Sequence, residues 1–261
     1  MAADYEPAAP QPVAGVDRPP TEASRPANRL LASLTPADLA LLSPHLEPTR
    51  FTIGDAIIRA GDRIETICFL ESGIGGVLDA FEGDRRYAVG LIGAEGYIGW
   101  PLLLGDDRSP YDVVMRAENG TALRLPADAF LAAVDVSATL GAACRRFAQA
   151  FMTQMGRTVV SALAHSIEQR MARWILMYHD RVRGDDIWMT HEEFRLMLGV
   201  RRSSVTDALH RLEEDRAIRS LRGQVIVRDR ARLMALAGDT YGFAEQEYRR
   251  LTGTAVEGGG G

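Results

Sequence analysis

Apolar and polar positions along the chain fall into three successive textures. From Phe51 to Leu125 short β-prone runs recur: Ala56-Ile57-Ile58, Thr66-Ile67-Cys68-Phe69-Leu70, Gly76-Val77-Leu78, Tyr87-Ala88-Val89-Gly90-Leu91, Asp112-Val113-Val114-Met115 and Thr121-Ala122-Leu123-Arg124-Leu125. Turn signals separate them at Gly54-Asp55, Gly61-Asp62, Ser72-Gly73, Glu82-Gly83-Asp84, Gly93, Gly96 and Asn119-Gly120. Many short strands at this spacing predict a small antiparallel barrel or roll. Upstream, Leu30, Leu31, Leu34, Leu39 and Leu42 suggest short helices, one of them capped by Thr35 ahead of Pro36.

Pro126 opens a helical phase. Between Ser137 and Leu163 the apolar residues Leu140, Cys144, Phe147, Phe151, Met155, Val159 and Leu163 advance by three or four, one stripe along a single long helix. A second copy of the same helix is the simplest partner for that stripe, because symmetric dimers are the commonest oligomers; packing on the chain's own roll is the alternative. A hinge near Ala164-His165-Ser166 starts the next helix, Ile167 to about Tyr178, with Met171, Trp174 and Ile175 in its core face.

The third texture, residues 189–230, predicts two short helices around a glycine turn followed by a hairpin, the plan of a winged helix-turn-helix. Thr190 is placed to cap the first helix, with Glu193 completing a capping box. Phe194, Met197 and Leu198 form its buried face, and Gly199 sits where the chain must turn sharply. Val205, Ala208, Leu209 and Leu212 give the second helix an apolar stripe. Its other face carries Arg202, Ser203, Thr206, Asp207 and His210, groups able to reach base edges or phosphates in a major groove. Arg201 and Ser204 stand at the start of the same helix; because Arg201 occupies the place of a capping hydroxyl, the helix could begin one or two residues later. Ile218, Leu221, Val225 and Val227 around Gly223 suit a two-stranded wing, with Arg219, Arg222 and Arg228 near the DNA backbone. Double-stranded DNA is the partner these residues imply.

Charge sharpens this. The chain of 261 residues has net charge -5, yet ten arginines face five carboxylates between Arg195 and Arg232. The sequence contains no lysine. At 46% hydrophobic and 25% charged it reads as a globular protein of about two domains. Cys68 and Cys144 form neither a CxxC pair nor a cluster, which argues against a disulfide framework, a zinc ribbon or an iron–sulfur cluster. No metal site and no cofactor is expected. No apolar run approaches the ~20 residues needed to span a bilayer, and no signal peptide is apparent, so a cytoplasmic protein without membrane contact is expected. Residues 1–27, rich in Pro and Ala, predict a flexible tail, and 253–261 a loose end.

Order and content together resemble the cyclic-AMP receptor protein and fumarate–nitrate regulator (CRP/FNR) superfamily of bacterial transcription factors, from about Arg29 to Leu236. The most specific pieces are the helix-turn-helix, the Phe51-Thr52-Ile53-Gly54-Asp55…Ala60-Gly61-Asp62 opening of the roll, and Glu95-Gly96-Tyr97-Ile98-Gly99. The resemblance implies an α+β fold: a cyclic-nucleotide-binding-like antiparallel β-roll (28–136), a dimerisation helix and hinge (137–165) and a winged helix-turn-helix (166–240), with 241–261 a C-terminal helix or tail. It implies a homodimer on a palindromic site, with RNA polymerase as a further partner if the protein activates, and a possible small-molecule effector.

In cyclic-AMP binders of the family a Glu takes the ribose hydroxyl and an Arg-Ser pair holds the phosphate. Here the run is Gly99-Trp100-Pro101-Leu102-Leu103-Leu104, and Trp100, whose indole only donates, stands where the carboxylate is expected. An Arg-Ser pair survives as Arg108-Ser109, about three residues early and beside Asp106 and Asp107. The purine-contacting helix positions fall near Met155 and Gly156. An apolar ligand, no ligand with simple core packing, or a shifted phosphate loop that still takes a cyclic nucleotide are the alternatives. The resemblance also implies a different half-site, since Ser203 replaces the usual glutamate after Arg202. His45 and His165 are only generic candidates for a haem ligand, and Cys68 suits buried packing better than redox switching. No GxSxG, HExxH, P-loop or Rossmann pattern argues for an enzyme. An interaction scaffold that has lost DNA binding is the other reading, with Asp207 its best argument.

Overall fold

The computed structural model describes residues 26–81 and 85–256. Two short helices come first, α1 (Arg29–Ser33) and α2 (Pro36–Leu42). Asn28 Oδ1 caps α1, and Thr35 Oγ1 accepts from Asp38 N at 3.1 Å to cap α2 ahead of Pro36, as the sequence predicts. Seven strands follow: β1 (Glu47–Phe51), β2 (Ala56–Ile58), β3 (Thr66–Leu70), β4 (Ile74–Phe81), β5 (Arg85–Ile92), β6 (Asp112–Arg116) and β7 (Gly120–Pro126). They form two antiparallel sheets, β1-β7-β3 and β2-β6-β4-β5. Six of the seven coincide with the β-prone runs. The exception, β1, pairs with β7 from Glu47↔Arg124 to Phe51↔Gly120 and buries only Phe51, so alternation does not reveal it. The Glu82-Gly83-Asp84 turn and residues 1–25 lie outside the described residues.

Helix α3 (Ala127–Val136) leads into the long α4 (Ala138–Ala164), whose 27 residues are capped by Ser137. Helix α4 lies against the edge strand β5, where the buried Gln154 amide replaces a missing strand: Oε1 accepts from Leu91 N at 2.7 Å and Nε2 donates to Leu91 O at 3.2 Å. This satisfies edge groups that would otherwise be buried unpaired. Close approach at the top of the helix needs Gly96, since a Cβ there would overlap the Phe147 ring.

The predicted stripe on α4 divides. Leu140, Cys144, Phe147 and Phe151 are buried inside the chain's own roll core, so these four are not available to a second copy. The exposed apolar residues of α4 are Met152, Val159, Val160 and Leu163. The hinge is at His165 and Ser166, and Ser166 closes a capping box with Gln169 at the start of α5 (Ile167–His179).

The last unit holds β8 (Asp186–Trp188), α6 (His191–Leu198), α7 (Arg202–Glu214), β9 (Ile218–Leu221), β10 (Gln224–Val227), α8 (Arg230–Ala237) and α9 (Phe243–Thr252). The wing has three strands rather than two, ordered β8-β10-β9, because β8 adds to β10 through Ile187↔Val225. The ordered chain also runs past Leu236: α9 packs on α4, and 253–256 is not loose, since Val256 is buried and its carbonyl accepts from Arg29 Nη2 at 2.5 Å.

Two cores result. One fills the roll; the other mixes Ile74, Leu78, Ala88 and Leu91 of the outer sheet with Met171, Ile175, Tyr178 and Phe194 of α5 and α6. A buried ion pair also crosses between the units, Arg181 Nη2 to Glu95 Oε1 at 2.8 Å with both side chains 2% exposed. Tyr248 of α9 donates to the Glu95 carbonyl at 2.7 Å.

Candidate nucleic-acid interface and effector pocket

Helix α6 begins at Thr190, whose Oγ1 accepts from Glu193 N at 3.2 Å. The reciprocal half of the predicted capping box is absent. The Glu193 carboxylate instead takes Arg116 Nη1 of β6 at 2.7 Å, a charge-assisted bond that ties α6 to the roll. Gly199 ends α6 at φ 65, and a Cβ there would come within 3.3 Å of Tyr87. Helix α7 starts at Arg202, with Arg201 at its N-cap and no side-chain cap. Its first N–H groups are left without a side-chain acceptor, which makes this helix end an anion-binding group.

Val205, Ala208, Leu209 and Leu212 of α7 are buried, while Arg202, Ser203, Asp207 and His210 are exposed. Ser204 and Thr206 are half-buried, and the Thr206 hydroxyl is committed to Arg202 O at 3.2 Å. Arg222 is exposed at the wing turn beside Gly223, φ 77. The arginine-rich stretch divides into two sets. Arg195, Arg211, Arg230 and Arg232 hold Glu192, Glu168, Asp180 and the Asp215 carbonyl. Arg201, Arg202, Arg216, Arg219, Arg222 and Arg228 are exposed and make no ion pair or side-chain hydrogen bond among the described residues. A charge already matched by a carboxylate adds little toward a phosphate; an unmatched one adds its full counter-ion term.

Of the six residues singled out as an effector pocket, Gly99, Trp100 and Pro101 are buried side by side, while Arg108 is exposed and bonded to the Gly61 carbonyl. Trp100 is 4% exposed, edge-on to Phe151 with ring centroids 4.7 Å apart and stacked near Tyr111 at 6.2 Å. Gly99 and Pro101 are buried beside it. The exposed Arg108 donates from Nη1 to Gly61 O at 2.8 Å, and Ser109 Oγ donates to Tyr111 O at 2.7 Å. The large indole thus occupies the space and Arg108 lies outside it. Met155 lines an open cavity of ≈ 520 Å³ bordered by β5, α4 and α6. Sequence reasoning missed this groove because its walls come from six segments that are far apart in the sequence.

Burial pushes the Cys68 and Cys144 thiols up to about 12, which keeps them protonated and unreactive. His165 Nε2 lies 3.0 Å from Asp239 Oδ1, while His45 sits on a surface turn. Among the described residues no group of three or more His, Cys, Asp or Glu could hold a metal ion, and no single helix is long and apolar enough to cross a membrane.

Two family models match the chain: a cyclic nucleotide-binding domain over residues 48–137 and a Crp-like helix-turn-helix domain over residues 169–236. The chain belongs to the CRP/FNR superfamily of transcription regulators. Solved structures share the fold of this CRP/FNR regulator. FixK2 from Bradyrhizobium japonicum is 14% identical with a TM-score of 0.64, covering 74% of this chain and 98% of its own. A CRP-family transcriptional regulator from Thermus thermophilus is 20% identical with a TM-score of 0.59, covering 80% and 98%. The c-di-GMP responsive global regulator CLP of Xanthomonas campestris is 15% identical with a TM-score of 0.60, covering 74% and 99%. A search of curated proteins gave no match. Helix α9 lies beyond the matched helix-turn-helix segment.

Proposed function

We propose that this CRP/FNR regulator binds a palindromic DNA site as a homodimer, reads it with α7, and does not take cyclic AMP inside the roll. The observation that carries the reading is the division of α7 into a buried apolar face and an exposed face bearing Arg202, Ser203, Asp207 and His210, flanked by arginines without carboxylate partners. Arg202 is the base reader, since a guanidinium fork matches the two acceptors of guanine. Arg201, Ser204 and Arg222 hold phosphates. Ser203 and Asp207 give the half-site a sequence of its own.

The dimer seam is the exposed line Met152, Gly156, Val159 and Leu163, spaced four, three and four as in a coiled coil. Gly156 has open space where a Cβ would stand and lets the two helices approach closely. Indole filling by Trp100 supports a roll closed to cyclic AMP, and the bond of Arg108 to Gly61 O speaks against a shifted phosphate loop.

Binding-site selection followed by titration of the selected site tests this. Arg202→Ala is expected to weaken the selected site by about 1–3 kcal/mol and leave random DNA nearly unchanged. Equal loss on both, or only salt-labile nonspecific binding by the natural chain, would favour an interaction scaffold.

A further inference from the structure

The groove at the junction of roll, long helix and DNA-binding unit carries more than a missing cyclic-nucleotide site. Its walls are Tyr87 and Val89 of β5, Tyr111 ahead of β6, Met155 of α4 and Met197 of α6, and Gly156 and Val159 of the seam proposed above also border it. At ≈ 520 Å³ it has the size of a small-molecule site, and its lining is mostly apolar. Two charged groups line it. Asp79 is an exposed carboxylate on β4. Arg170 of α5 is half-buried, and its one partner among the described residues is the Leu198 carbonyl at the end of α6. No carboxylate among those residues pairs with Arg170, and desolvation pulls its pKa below the ordinary arginine value. Thr158 adds little, because its hydroxyl already donates to Gln154 O at 3.1 Å.

We propose that this groove binds an apolar monocarboxylate, a straight or flat body of about ten carbons seated against Tyr87, Tyr111, Met155 and Met197, with its carboxylate on Arg170. A half-buried guanidinium with free donors in a mostly apolar cavity meets a carboxylate's two acceptors better than any other group in the site. Asp79 repels an anion and so favours the orientation that puts the carboxylate on Arg170. The ligand touches β5 on one side and α5 and α6 on the other, so its binding energy differs with the spacing between roll and helix-turn-helix. That differential is what lets a ligand shift one arrangement over another. The proposal deepens the effector half of the regulator reading above.

Isothermal titration of the full chain with decanoate and 2-naphthoate, below any micellar concentration, tests it. Decanamide is the neutral counterpart. Decanoate is expected to bind at least tenfold more tightly than decanamide. Arg170→Gln should bring the two level, and Met155→Trp, which fills the groove, should abolish both while the melting temperature shows the variants folded. Tighter binding of 2-naphthoate assigns a flat ligand, of decanoate a straight one; either supports the site. Equal affinity for acid and amide, no binding at all, or indifference to Met155→Trp overturns it. Binding seen only in a Leu163→Asp monomer also overturns it, because the groove would then be filled by the partner copy's helix. Affinity for the selected DNA site is measured in parallel. Intact DNA binding without decanoate binding defeats this proposal alone, and decanoate binding without DNA binding defeats the regulator reading alone.

Discussion

The two halves of α4 are built from the same residue classes at the same spacing, yet they end in opposite environments. In 138–151, Phe147 and Phe151 are each 2% exposed, set among Tyr97, Trp100 and Phe130 of the roll. In 152–164, Val159 is 59% and Leu163 85% exposed. The first half sinks its rings into the roll core; the second keeps contact with β5 through Gln154 and with α9 through Arg157 over the Phe243 ring, but lines the groove and leaves Val159 and Leu163 exposed. A three-four stripe therefore identifies an apolar face but not the partner that covers it, and one continuous stripe can change partner midway.

Two variants test that contrast directly. Phe147→Ala should cost about 3–5 kcal/mol of folding stability, measured by urea unfolding, because its site is enclosed and stacked. Val159→Asp should leave monomer stability within about 0.5 kcal/mol. It should weaken self-association on the order of 100-fold in sedimentation equilibrium, since a carboxylate would be buried twice in the seam. Comparable unfolding losses for the two variants would mean that the halves do not differ. Arg201→Ser supplies the missing cap and should stabilise by ~1 kcal/mol. The same change should lower the salt dependence of DNA binding by about one counter-ion unit in the slope.

The smallest effect concerns the entry to α4. Hydrogen bonds from Ser137, chiefly, and from Thr139 and Thr35 hold the buried Asp38 carboxyl below its usual range, opposed by burial. A depressed carboxylate pKa contributes stability above the unfolded value, and that contribution is lost as pH falls through the folded one. The urea midpoint of the natural chain should therefore drop on acidification below the ordinary aspartate pKa, and Asp38→Asn should flatten that part of the profile.

Much of this was legible in the sequence, for identifiable reasons. Six strands, the hinge at Ser166, Gly199 and the α7 stripe are local patterns with local causes: alternation, capping and left-handed backbone. What escaped is long-range. β8 is three residues long and gains its identity only by pairing with β10. Glu193 had the right spacing for a capping box, but Arg116, far away in sequence, offers its carboxylate a better bond. Helix α9 buries just Ala244 and Tyr248, too little to mark a docked face. The candidate effector residues were chosen by position in a segment. The packing of Trp100 against Phe151, which joins two segments far apart in the sequence, is not visible from position alone.

The mixed core beneath α5 and α6 has a thermodynamic consequence. Ile74, Leu78, Ala88 and Leu91 belong to the roll, yet they pack with Met171, Ile175, Tyr178 and Phe194 of the DNA-binding unit. Neither unit can lose its side of that core without exposing the other's apolar surface. A single calorimetric transition, with an enthalpy that belongs to both units at once, is therefore the expected outcome of heating this arrangement.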